Sequence, residues 1–170
     1  MAELRALCAD ELGFSDVRTY IASGNLFFTS TRPAHEDAAR LKAAIAARWG
    51  YDVPVVTRTL EELRAVRDAN PFSDVPNDKW FHVTFLDRDP RVGVRGEADE
   101  AAAARVDELD PNRAPGDVFR VIGREVYLRY ADGSGRSKLT LAWLERQLKV
   151  TGTARNWRTL NKLIAIAETA

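Results

Sequence analysis

The stretch TARNWRTLNKL, residues 153–163, decides how the chain closes. It crowds two arginines, two asparagines, a tryptophan and a lysine into one short segment. The spacing predicts a helix over 155–168. Trp157, Leu160, Ile164 and Ala167 then fall three or four apart on one side, with Leu163 beside them. Arg155, Arg158 and Lys162 recur at the same interval on another side. Thr151 or Thr153 is placed to cap the start. A helix N-terminus offers free N–H groups and partial positive charge, and guanidinium forks match carboxylates and phosphates. Plain packing accounts for the same residues differently. Trp157 anchors the helix, Asn156 ties a loop carbonyl, and the arginines pair with surface acids.

Upstream, the pattern alternates between helical and extended periods. ELRALCADELGF opens as a helix with Leu4, Leu7 and Leu12 on its apolar side and Gly13 as its stop. SDVRTYIASGNLFFTS reads as a hairpin turning at Ser23-Gly24-Asn25. A helix from Pro33 to Trp49 follows, then a strand YDVPVVT, placed at an edge by Pro54. Thr59 and Glu62 form a capping box for a helix that Asn70-Pro71-Phe72 ends. A loop rich in Asp, Asn and Pro runs to Asp78 as the candidate linker. WFHVTFL is a strand, EADEAAAARVDEL a helix, DVFRVIG and EVYLRYA two strands meeting at Gly123, and LTLAWLERQL a helix that TGT breaks.

The order is α-β-β-α-β, a connecting helix, β-α-β-β-α, and a last helix. This predicts an α+β fold of two ferredoxin-like (split β-α-β) subdomains, the first lacking its N-terminal strand. Residues 1–75 would form the incomplete first subdomain with the connecting helix. Residues 79–170 would form the second with the C-terminal helix. The sheets are expected to carry helices on one face. The missing strand would lie centrally, so two strands of the first sheet lose hydrogen-bond partners. A homo-oligomer through that incomplete sheet is one way to satisfy them.

Bulk composition excludes more than it selects. The chain has 170 residues, 45% hydrophobic and 29% charged, with 25 basic and 25 acidic side chains. That is ordinary globular composition and gives no reason to expect nucleic acid or membrane partners. Charge is uneven, however: seven basic and two acidic residues lie from Arg136 onward, a mild field suited to a small anion. The single cysteine, Cys8, sits in an apolar helix pattern and cannot form an internal disulfide. A cytoplasmic protein is expected. No apolar run is long enough to span a bilayer.

Catalytic and metal motifs are not found. His35 sits among charged residues at a helix start, and His82 shares a strand face with Trp80 and Thr84. No H-E-x-x-H, C-x-x-C, G-x-S-x-G or Walker loop occurs, so no metal and no cofactor are expected. ADGSGRSK is a turn, although its amides with Arg136 and Lys138 could meet an anion. Tyr20 and Phe28 lack the motif context of base-stacking aromatics.

VRTYIASGNLFF, the NPF at 70–72, and TARNWRTLNKL together resemble the family known as domain of unknown function 1697. The resemblance implies a bacterial-type α+β protein with two related subdomains and no assigned activity. It carries over onto Tyr20, Ser23, Gly24, Asn25, Asn70, Pro71, Phe72, Arg155, Asn156, Trp157, Thr159 and Lys162. It also implies a further strand and loop, similar to A-L-L-R-G-I-N-V-G-G, ahead of the first helix. The expectation is therefore that the sequence starts late relative to its relatives.

Three functions follow as expectations. The first is a non-enzymatic binding protein for a small anion or a protein partner. Its site would comprise Ser23, Gly24, Asn25, Asn70, Arg155, Asn156, Arg158, Thr159 and Lys162. Tyr20, Pro71, Phe72 and Trp157 would support it structurally. The second is a small-molecule enzyme with a cleft between subdomains, which requires Asn25, Asn70, Asn156 and Arg155 to converge. The third is a weak nucleic-acid binder, which requires a bare, positive sheet face.

Overall fold

The computed structural model describes residues 1–22, 24–72 and 80–169 and shows an α+β fold with two small antiparallel sheets. Helix α1 (Ala2–Ala6) widens into a π turn over Leu7–Glu11, which buries Leu7 and Cys8. Strands β1 (Ser15–Tyr20) and β2 (Asn25–Thr29) pair as a hairpin. Helix α2 (Ala34–Trp49) ends at Gly50, whose φ of +73° is open to glycine without a Cβ clash.

Residues 51–59 carry no regular secondary structure, so YDVPVVT is not the strand its composition suggested. The reason is pairing rather than propensity. No described strand runs beside it, and Pro54 removes one donor. Helix α3 (Leu60–Asp68) does begin with the expected capping box. Glu62 N–H donates to Thr59 Oγ1 at 3.1 Å, and Thr59 N–H donates to Glu62 Oε2 at 2.7 Å. The predicted linker falls mostly on residues 73–79, outside the described residues.

The remaining elements are β3 (Phe81–Leu86), α4 (Glu100–Asp107), β4 (Val118–Ile122), β5 (Glu125–Arg129), α5 (Leu141–Leu148), β6 (Gly152–Asn156) and α6 (Trp157–Glu168). The sheet order is β4-β5-β3-β6, with every neighbouring pair antiparallel. Strand β6 corrects the sequence reading. TGT does not merely break a helix, and no helix begins at Arg155. Residues 152–156 pair with β3 from Leu86↔Gly152 to His82↔Asn156. The cap is neither Thr151 nor Thr153. Asn156 caps α6, its Oδ1 accepting from Thr159 N–H at 2.7 Å.

Helices cover both faces of this sheet rather than one. Alternation along β3 sends Leu86 toward α4 and α5, while Phe81, Val83 and Phe85 point toward α3 and α6. A central strand buried on both faces reads as a nearly continuous apolar run, and FHVTFL does. The hairpin bridges the two halves. Leu26 and Phe28 pack with Leu41 of α2, whereas Tyr20 and Phe27 pack against the cluster that contains Trp157.

Removing the α6 cap tests the boundary. Asn156→Ala should lower unfolding free energy in urea by about 1 kcal/mol, whereas Asn161→Ala, on the exposed side of the same helix, should change it little. Equal effects would mean that α6 starts elsewhere.

Candidate functional site

The register of β6 sets the site. Arg155 lies opposite Val83 and Thr153 opposite Phe85, so both side chains leave the sheet on the face that meets the hairpin. Arg155 Nε donates to Asn25 Oδ1 at 2.6 Å. Its Nη1 donates to Thr153 Oγ1 at 2.7 Å and to the Ala154 carbonyl at 2.8 Å. Asn25 is buried, and its Nδ2 donates to the Tyr20 carbonyl at 3.1 Å. One amide therefore closes the hairpin and aims a guanidinium from the other half of the chain. Burial lowers the Arg155 pKa from its ordinary value. The ordinary value is so high that the group remains a cation at neutral pH.

Beside this pair lies a cavity of about 800 Å³. One wall is β2, and the opposite wall is the irregular segment 53–59. Leu41 and Ile45 of α2 line one side, and Phe85 and Leu163 line the other. The cavity is thus mainly apolar with a cationic end. Arg18 also lines it, and its Nε is shielded from solvent without a hydrogen-bond acceptor among the described residues.

Arg58 was not singled out by the sequence reading. It is nearly buried and fully engaged. Nε donates to Glu125 Oε1 at 2.8 Å, Nη1 to the Thr57 carbonyl at 2.8 Å, and Nη2 to the carbonyls of Leu86 and Arg124 at 2.9 and 3.1 Å. Its guanidinium also lies 5.5 Å from the Phe85 ring centre. Burial lowers its pKa, and Glu125 opposes that shift. Arg58 fixes the cavity wall to the second sheet. No local pattern announces this, because its partners lie about 28 and 67 residues away in sequence.

Other candidate residues are dispersed. Gly24 lines the cavity and takes φ +82° in the hairpin turn, while Ser23 lies outside the described residues. Asn70 Oδ1 accepts from Phe72 N–H at 3.0 Å in a local turn whose Pro71 is exposed. Phe72 stacks on Phe81 at 5.8 Å, and Trp157 meets the same ring edge-on at 6.5 Å. Asn156 and Thr159 are joined in the α6 cap. Arg158 and Lys162 stand exposed on α6, away from Arg155. The expected three-cation helix face therefore does not form, since Arg155 belongs to a strand. His82 meets Tyr130 edge-on at 5.1 Å, and burial lowers its pKa. His35 is exposed. ADGSGRSK holds a short 3-10 turn at Ser134–Arg136. Among the described residues, no three His, Cys, Asp or Glu side chains gather as a metal site, and no helix is long and apolar enough to cross a membrane.

With the geometry in place, comparison with known proteins gives a class. The sequence pattern of the family described as "Protein of unknown function (DUF1697)" matches residues 1–127. The chain belongs to that family. Among solved structures it is similar to the conserved bacterial protein SP0830 from Streptococcus pneumoniae, at 21% identity and a TM-score of 0.70. That match covers 98% of this chain and 88% of the other, and at this identity it shows a shared fold alone. No curated protein matches the chain.

Two buried tyrosines tie the sheet to its surroundings and give the fold an alkaline limit. Tyr127 Oη donates to the Val66 carbonyl at 3.0 Å, and Tyr130 Oη to the Leu139 carbonyl at 3.2 Å. Burial, then Glu125, pushes Tyr127 up to about 12, and burial, then Asp117, does the same for Tyr130. The fold favours the protonated phenols, so their contribution is complete below pH 10 and is lost as pH rises toward 12. The urea midpoint should fall across that window together with phenolate absorbance. A flat midpoint would contradict the assignment.

Proposed function

We propose that this is a non-enzymatic binding protein whose site is the cavity beside β2, with Arg155 receiving an anionic group of a small ligand or protein partner. The observation that carries this is the Arg155–Asn25 bond at 2.6 Å, which aims a partly buried cation along a mainly apolar cavity. Apolar walls with a few placed polar groups are typical of ligand sites. A catalytic cleft would gather Asn25, Asn70, Asn156 and Arg155. Only Asn25 and Arg155 meet, while Asn70 closes a turn and Asn156 caps a helix, so the geometry favours binding over catalysis. Helices on both faces of the four-stranded sheet leave no bare platform there for nucleic-acid bases.

The architecture supports the wider proposal of two ferredoxin-like subdomains, residues 1–75 and 79–170, in a cytoplasmic protein. The second has the order β-α-β-β-α-β, and the first has α-β-β-α with an open sheet edge at which a second copy could also pair.

Anilinonaphthalene sulfonate, an apolar anion, is a suitable probe. It should bind the full chain saturably, and Arg155→Gln should weaken it by about tenfold or more, the value of a lost charge-assisted hydrogen bond. Arg158→Gln with Lys162→Gln should leave affinity unchanged. Far-UV circular dichroism and a urea titration establish that each variant is folded. The reverse ranking would move the site back to the α6 surface.

A further inference from the structure

We draw no further inference here: the strongest candidate, the half-buried His82 of β3, whose ring meets Tyr130 edge-on at 5.1 Å, is marked out only by the lowering of its pKa on burial, and nothing among the described residues ties its titration to a ligand or a partner.

Discussion

The pairing of β6 with β3 is the constraint on which the site depends. Five residues, Gly152–Asn156, run antiparallel to the central strand of the larger sheet. That register turns Arg155 and Thr153 toward the hairpin and delivers Asn156 to the start of α6. A shift of one residue would send Arg155 to the opposite face. There it would meet the apolar cluster under α4 and α5, with no amide to receive it. Backbone hydrogen bonding thus determines which cation is internal and which, Arg158 and Lys162, remain in water.

A second constraint acts on the smaller sheet. Two strands alone bury little, and an isolated hairpin is marginal in water. Here the hairpin is held between α2 on one face and the cluster around Trp157 on the other. Arg155–Asn25 and Arg58–Glu125 add polar ties, from the hairpin and from the irregular wall to the larger sheet. The cavity lies between these ties. Strand β2 and the irregular segment 53–59 both line it without pairing with each other.

Much of this architecture was legible in the sequence. The hairpin around Gly24, the Thr59–Glu62 box, FHVTFL and the strands meeting at Gly123 all carry local signals and are present, although Asn25, read as part of the turn, opens β2 opposite Tyr20. The two-stranded pairing of β1 with β2 also followed from element order. What failed depended on distant partners. TGTARN has one apolar residue among glycine, threonine and polar side chains, so it lacks a strand's usual composition; β3, about 70 residues upstream, makes it one. YDVPVVT has strand composition and no partner, so it stays irregular. Moving the helix start from Arg155 to Trp157 is a shift of two residues, yet it separates Arg155 from Arg158 and joins it to Asn25. The buried Arg58 was missed for the same reason, since nothing nearby in sequence shows what it binds.

A double-mutant cycle on Asn25 and Arg155 tests this account most directly. Unfolding free energies of the parent chain, Asn25→Ala, Arg155→Ala and the double variant would be compared in urea. A charge-assisted bond at 2.6 Å between partly shielded groups predicts a coupling of about 1–3 kcal/mol. Strict additivity would mean that Arg155 does not point at the hairpin, and that β6 does not hold the register on which the site is built.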